Sequence, residues 1–274
     1  MKKYILYLVL SLVLFAGCSD SVIGYESREA YVESLAKSKV IYYTTSDGKV
    51  IKPYREVLAA KIVSNDYVDG QGVITFDRPI SEIGANMFGG CMNLVSITLP
   101  YSVMTIGKGA FKNCTSLRDV SLAEITSIID DDAFCNCFEL TSFTIPQKVQ
   151  RIGSRAFSGC LNLSEISIPE SVTYIGEEAF CQCRLFESVV IPDSVTEMGG
   201  GVFKDCSALT SVTLPDAITE IGSGAFQGCR SLTEVIIPDG THTIGYDTFN
   251  NCTELTSINL PSKLGAIEDG AFMN

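Results

Sequence analysis

Apolar residues recur every 23 positions through most of this chain, and no insertion or deletion breaks the register. In each complete period a phenylalanine is followed three residues later by a cysteine, and three residues after that by a leucine or another large apolar residue. The phenylalanines are Phe88, Phe111, Phe134, Phe157, Phe180, Phe203, Phe226, Phe249 and Phe272, and the cysteines are Cys91, Cys114, Cys137, Cys160, Cys183, Cys206, Cys229 and Cys252. A fixed period of this length indicates a repeat architecture.

Each period has two halves. Alternate residues are apolar around Val212 and Leu214, and this period of two predicts a short strand with one buried face. The apolar residues at 221, 225 and 226 have helical or 3₁₀ spacing, which predicts the returning half of a coil. Because a 23-residue coil cannot bury its own apolar face, the coils must stack. We predict an α/β-type solenoid over residues 72–274, with a parallel sheet along one face and an incomplete last repeat.

The consensus of the repeat is I-G-x-x-A-F-x-x-C-x-x-L-x-x-V-x-I-P-x-x-V, clearest in residues 175–196 and 221–241. Its L-x-x-V-x-I portion carries the signature of leucine-rich repeats, and the whole resembles the BspA-like leucine-rich-repeat surface proteins of anaerobic bacteria. Residues 41–54, IYYTTSDGKVIKPY, resemble the segment that precedes such repeats. The resemblance implies an exported, surface-displayed binding protein, with adhesion to host or extracellular-matrix proteins as the usual role.

A glycine column lies in the same register, and we interpret it as a series of turns with left-handed backbone, a conformation that aspartate also tolerates at residue 130. The adjoining Asp130-Asp131-Asp132 is expected to be a solvated turn. The glycines are Gly84, Gly107, Gly153, Gly176, Gly199, Gly222 and Gly245.

Residues 26–71 lack the repeat and are predicted to form a small α+β cap over the open end of the core, or else a separate binding module. Within this segment, VIYYTTSDGKVIK predicts a hairpin around Asp47-Gly48. A second turn signal at residues 69–72 precedes Ile74 and Phe76, which lie 23 residues before the apolar residues of the next strand. The first strand of the solenoid is therefore expected there.

The first residues have the organisation of an export signal. Two lysines precede a twelve-residue apolar run that is too short to span a bilayer as a helix. The run ends in Leu14-Phe15-Ala16-Gly17-Cys18, which resembles a bacterial lipobox with Phe15 at the place where leucine is usual. The resemblance implies a signal peptide over residues 1–17, a lipid on Cys18 and a tether over residues 18–25, attaching the protein to the outer membrane. The alternative is an ordinary secretory signal cleaved near Ala16.

Charge narrows the range of partners. Loss of Lys2 and Lys3 with the leader lowers the basic count from 20 to 18 against 32 acidic residues, so the formal charge is −14 rather than −12. This balance argues against nucleic acid and against anionic lipid surfaces. A protein or another macromolecule is the expected partner, and the only predicted contact with a membrane is the N-terminal lipid.

The chain offers little for catalysis. His242 is its only histidine, and no nucleophile–histidine pair or phosphate loop is recognisable. The ladder cysteines lie on the buried face and are predicted to be free thiols that pack as small hydrophobic residues. Cys135 and Cys181 lie outside the ladder, and their spacing does not favour a zinc site. We predict that the protein is not an enzyme and has no resident cofactor.

Two surface columns remain as candidate sites. An acidic residue follows most of the repeat prolines, a pattern typical of tight turns. The alternative interpretation is that these carboxylates bind calcium weakly. These residues are Glu170, Asp193, Asp216 and Asp239. The second column is the outward face of the strands, along which solenoids commonly bind. Its predicted binding residues are Ser142, Thr144, Glu165, Ser167, Ser188, Val190, Ser211, Thr213, Glu234 and Ile236.

These features support two hypotheses of function. The leading one is a lipid-anchored, surface-displayed adhesin or binding protein that uses its strand face. The alternative is a periplasm-facing structural or assembly lipoprotein that meets another envelope protein through an unsealed C-terminal end, because Asn274 precedes the next expected ladder cysteine by one residue.

Overall fold

The computed structural model describes residues 36–54 and 60–274. It is a solenoid of stacked coils about 23 residues apart, as the period predicts. The predicted leader, Cys18 and the tether through residue 25 lie outside the described residues. No helix among the residues that the structure describes is long and apolar enough to cross a membrane.

Three strands precede the repeats, and every coil then contributes short strands. The first three are β1 (Val40–Thr45), β2 (Ile62–Val68) and β3 (Gln71–Phe76). The repeats contribute β4 (Glu82–Ile83), β5 (Leu94–Thr98), β6 (Thr105–Ile106), β7 (Asp119–Ser121), β8 (Ile128–Ile129), β9 (Ser142–Thr144), β10 (Arg151–Ile152), β11 (Glu165–Ser167), β12 (Tyr174–Ile175), β13 (Ser188–Val190), β14 (Glu197–Met198), β15 (Ser211–Thr213), β16 (Glu220–Ile221), β17 (Glu234–Val235), β18 (Thr243–Ile244), β19 (Ser257–Ile258) and β20 (Ala266–Ile267).

The N-terminal strands form an antiparallel layer at the start of the solenoid. β2 and β3 are joined by a turn in which Asp69 and Gly70 both have positive φ, 51° and 81°, the signature of a type I′ hairpin. β1 lies between β3 and β5 and is antiparallel to both. The strand expected at Ile74 and Phe76 is present as β3, but it pairs with β1, which lies between it and the first repeat strand β5.

The hairpin predicted around Asp47-Gly48 is present only in its first half. β1 ends at a turn in which Gly48 has a φ of 68°, but residues 49–54 form no strand. Instead Ile51 is buried, and its carbonyl accepts a hydrogen bond from the Asn65 side chain. That side chain in turn accepts one from the Tyr43 hydroxyl at 2.7 Å. Burial of Ile51 in the core thus places residues 49–54 where they cannot pair with β1.

The repeats form two parallel ladders where one was predicted. The odd-numbered strands from β5 onward form the predicted strand face, in register, as in the pairing of Ser211 with Glu234. The even-numbered strands from β4 onward, two residues each, form a second ladder in the orders β4 to β14 and β16 to β20. The second ladder was missed because two residues are too few to show an alternating pattern.

The returning half of each coil is built from turns. Bonds of the i to i−3 type occur, such as Cys114 N to Phe111 O at 3.1 Å, as 3₁₀ spacing predicts. They alternate with bonds to the next coil, such as Phe111 N to Ala133 O at 2.8 Å. Because these amides are used between coils, no continuous helix forms in this half.

The core is a continuous column of stacked rings. Successive ladder phenylalanines lie 5.2–5.8 Å apart between centroids, with planes inclined by only 5–13°. All of them from Phe88 to Phe249 are fully buried. Each ring is covered by the rings of the neighbouring coils, which is how stacking buries an apolar face that a single coil leaves open.

The glycine column has a different cause from the one that the sequence suggests. Its glycines do not have positive φ; the left-handed residues lie two positions later, as at Asp132 and Glu178. A Cβ at Gly176 would lie 2.4 Å from the backbone nitrogen of Ser154 in the preceding coil. The column therefore marks a close approach of one backbone to the next.

Replacing Gly176 with alanine is expected to destabilise the solenoid by about 1–3 kcal/mol, since the new methyl group must push two backbones apart. Thermal unfolding followed by circular dichroism measures the effect. Gly265→Ala is the control, because a Cβ there would meet only the His242 carbonyl oxygen at 3.5 Å, an ordinary contact. Equal losses in the two variants would contradict the explanation.

Candidate binding face

The strand face is exposed where the sequence predicts it. Each three-residue strand of this ladder turns its middle residue inward and its flanking residues outward, so that Val212 is buried while Ser211 and Thr213 are exposed. All ten predicted binding residues are exposed. Most carry hydroxyl groups, and the parallel ladder holds them in rows across neighbouring coils.

Two large apolar residues interrupt this polar surface. Val190 and Ile236 expose 65% and 67% of their surface. Val190 is paired in register with Thr213, and Ile236 occupies the same column one coil further on. At the usual spacing of strands they lie about 10 Å apart, close enough for one partner segment to contact both.

The strand face is also divided. Parallel pairing on this ladder stops between β7 and β9 and again between β11 and β13. The strands on either side belong to separate sheets, although the coils beneath them remain stacked through the phenylalanine column.

Each interruption directly precedes a coil that carries an additional core phenylalanine. Phe143 in β9 packs its ring against Phe134 and Phe157, with centroids 4.9 and 4.8 Å apart. Phe186, just before β13, replaces the leucine of other coils and packs against Phe180 at 5.9 Å. A larger side chain in a filled core displaces backbone, which accounts for where the ladder opens.

An open cleft of about 720 Å³ lies over β9, β11 and the start of β13. Five of the predicted binding residues line it, while Gln147, Ser164 and Glu187 were not predicted. Departures from the repeat at residues 143 and 186 are the sequence signal that could have located it. The lining residues are Ser142, Phe143, Thr144, Ile145, Gln147, Ser164, Glu165, Ile166, Ser167, Glu187 and Ser188.

The acidic column after the prolines is a row of separate carboxylates. Glu170, Asp193, Asp216 and Asp239 are all exposed, and the Asp216 amide donates a long bond of 3.5 Å to Asp193 Oδ1. In the described ranges, no group of three or more His, Cys, Asp or Glu side chains is placed to hold a metal ion. Calcium binding by this column stays a prediction.

Asp132 is a buried ion-pair centre, which corrects the expectation of a solvated turn. Its carboxylate accepts bonds from Arg155 Nε at 3.0 Å and Nη2 at 3.2 Å, and Lys112 Nζ lies 3.4 Å away. Burial alone would raise the pKa of Asp132, but the guanidinium of Arg155 and the ammonium of Lys112 hold it below its usual value. The pairs tie three successive coils together.

The ladder cysteines are free thiols with a specific hydrogen bond. Each buried ladder thiol donates to the carbonyl oxygen of the phenylalanine 26 residues earlier, at 3.1–3.4 Å, as Cys229 does to Phe203. The same Phe203 oxygen also accepts the Cys206 amide. The sequence predicted burial but not this bond, which satisfies a second lone pair of the carbonyl.

Burial also suppresses the reactivity of these thiols. Desolvation raises the pKa of Cys229 well above its usual value, and the neighbouring Cys206 and Cys252 add to the effect. Cys181, outside the ladder, has a pKa raised to about 11 by burial and by the Glu178 carboxylate. A nucleophilic cysteine needs a lowered pKa, so none of these groups is prepared for catalysis.

Comparison with known proteins gives a family and a fold. The family described as "BspA type Leucine rich repeat region" matches residues 72–186 and 174–274 in six copies. A leucine-rich repeat protein from Bacteroides ovatus is 24% identical over 86% of this chain and 68% of its own, with a TM-score of 0.58. No curated protein matches the sequence.

Two further solved structures are similar over less of the chain. The leucine-rich repeat protein of T. pallidum is 31% identical over 69% of this chain and 75% of its own, with a TM-score of 0.45. A leucine-rich cell surface protein from Faecalibacterium prausnitzii is 29% identical over 63% of this chain and 61% of its own, with a TM-score of 0.42.

Cys229→Ala is expected to lower the free energy of unfolding by about 1–2 kcal/mol, because it removes a buried thiol and its hydrogen bond. In the native full-length chain, Cys229 should resist alkylation at pH 8 while the partly exposed Cys91 reacts faster. Chemical denaturation measures the change in the free energy of unfolding, and mass-spectrometric mapping of the modified cysteines measures the alkylation rates of Cys229 and Cys91. A Cys229 that reacts as fast as Cys91 would contradict its assignment as a packing residue.

Proposed function

Because the chain belongs to the BspA-type leucine-rich repeat family, we propose that it is a lipid-anchored binding protein displayed on the bacterial surface. It acts as an adhesin and recognises host or extracellular proteins along the strand face. The observation that carries this proposal is the extended polar face with two strongly exposed apolar residues, Val190 and Ile236. Isolated apolar side chains within a polar surface are natural contact points for a protein partner.

The shape of the face supports a macromolecular ligand. It runs across successive coils that are fixed to one another by ring stacking and backbone hydrogen bonds. A partner therefore meets a surface that is already ordered, which reduces the entropy lost on binding. The negative charge of the chain opposes nucleic acid and favours a partner with basic groups.

The proposed location rests on the N-terminal sequence. Leu14-Phe15-Ala16-Gly17-Cys18 follows a short apolar run, as in exported lipoproteins, and the proposed lipid on Cys18 would hold the protein at the outer membrane. The Ser-Asp-Ser that follows Cys18 slightly favours export to the cell surface. A protein retained on the periplasmic side would instead serve as an assembly lipoprotein.

Protease treatment of intact cells separates these two locations. Surface display predicts loss of the full-length protein from whole cells, while a periplasmic protein with similar protease sensitivity survives until the cells are lysed. Immunoblotting of both proteins before and after lysis measures the result. Full protection in intact cells would exclude the adhesin role.

The double variant Val190→Asp plus Ile236→Asp is expected to weaken binding to an extracellular protein ligand at least about tenfold, because it replaces both apolar contacts with charges. A screen of immobilised host and extracellular-matrix proteins, followed by titration of each one bound, measures the change. Val50→Asp plus Met104→Asp is the matched control, since both residues are exposed and lie outside the strand face. Unchanged binding by the first variant would remove the strand face as the site.

A further inference from the structure

The charged side chains that line the cleft over β9, β11 and β13 are both negative. Glu165 lies in β11 and Glu187 directly precedes β13, so their carboxylates belong to neighbouring coils and both are exposed. Hydroxyl groups and the Gln147 amide make up the remaining polar side chains. No lysine or arginine lines the cleft.

Hydrogen bonding within the protein adds to the excess of acceptors over donors in the cleft. Ionised carboxylates only accept hydrogen bonds. The Ser164 hydroxyl donates to the Thr141 carbonyl oxygen at 3.3 Å, which leaves its lone pairs available to accept a hydrogen bond. Of the charged groups on the adjoining coils, Arg118 already forms an ion pair with Glu139 at 3.3 Å. The cleft therefore lacks a cationic donor of its own while offering several acceptors.

We propose that this cleft binds a lysine or arginine side chain of a protein segment that lies across the strand face. The cationic group would lie between Glu165 and Glu187, and an apolar neighbour in the same segment would contact Val190, which is the last residue of β13. This inference rests on the proposed strand-face function and specifies the chemistry of the partner that the face selects.

Charge and position favour a basic protein segment over other ligands. Two carboxylates in a cleft whose lining includes no lysine or arginine repel phosphate and sulfate groups, and the net charge of −12 adds to that repulsion. A second opening of about 480 Å³ over β14 and β16 also carries two glutamates, Glu197 and Glu220. It lies on the other ladder and is not lined by Val190, and so provides an internal comparison.

The probe is the capped peptide acetyl-Thr-Lys-Val-Lys-Thr-amide, together with the same peptide in which both lysines are acetylated. Calorimetric titration of the full-length chain should show binding of the unmodified peptide and at least tenfold weaker binding of the acetylated one. Glu165→Gln plus Glu187→Gln should weaken binding of the unmodified peptide about tenfold, as two lost ion pairs allow.

Glu197→Gln plus Glu220→Gln removes the same charge from the second opening and is expected to change binding less than about twofold. Circular dichroism should show that both variants stay folded. An equal loss of binding in the two variants would show that net charge alone causes the effect. A larger loss in Glu197→Gln plus Glu220→Gln would place the site on the other ladder. Either result would overturn the proposal. Equal binding of the acetylated peptide, binding of a neutral oligosaccharide in the same cleft, or no peptide binding at all would each overturn the proposal.

The failure of this inference can be told apart from the failure of the proposed function. Suppose that an extracellular protein loses binding to Val190→Asp plus Ile236→Asp but keeps it with Glu165→Gln plus Glu187→Gln. The strand face then remains the binding surface, and only the basic side chain in the cleft is excluded. Full protection from protease on intact cells excludes surface display whatever the peptide result.

Discussion

The structure depends on one constraint, that each coil stacks its rings and makes many of its hydrogen bonds with the neighbouring coils. Phe203 shows this at a single residue. Its ring stacks between those of Phe180 and Phe226, its amide donates to the Ala225 carbonyl, and its own carbonyl accepts both the Cys206 amide and the Cys229 thiol. A backbone and side chain used in this way have no freedom to shift relative to their neighbours. The 23-residue register is thus a hydrogen-bonding requirement as well as a packing one.

The candidate site arises where that requirement is relaxed. Phe143 and Phe186 place additional ring volume in the core, and strand pairing is lost beside each of them while the main phenylalanine column continues. The core thereby shapes the surface above it. A cleft produced in this way has walls fixed by packed rings, which suits the placement of a few polar groups for recognition.

The repeat made most of the fold predictable, because periodic burial is visible in sequence. The strand face, the phenylalanine column and the burial of Cys229 follow from spacing alone. The donor role of the thiol does not, since it depends on where the Phe203 carbonyl lies. The cause of the glycine column could not be predicted either, because a repeated glycine is expected both at a turn and where two backbones come into close contact. The insertion of β1 is a long-range pairing, and local patterns carry no information about it.

The candidate site was predictable in part for the same reason. Residues such as Ser167 and Ser188 were identified because strand alternation determines which side chains face outward. The cleft itself depends on strand pairs that fail to form, and Gln147 and Glu187 lie just beyond the strands that alternation describes. Asp132 was misjudged because its partners Lys112 and Arg155 come from the coils on either side.

The thiol-to-carbonyl bonds have a consequence for how such a protein can change in length. Every bond of this ladder joins residues 26 apart, and every ring contact of the column joins residues 23 apart. Deleting or duplicating one whole period preserves both distances, whereas a single inserted residue breaks the ring column, the thiol ladder and the glycine contacts together. Genetic variation in the array should therefore occur in steps of one period, and added coils would lengthen the recognition surface while leaving an existing cleft intact.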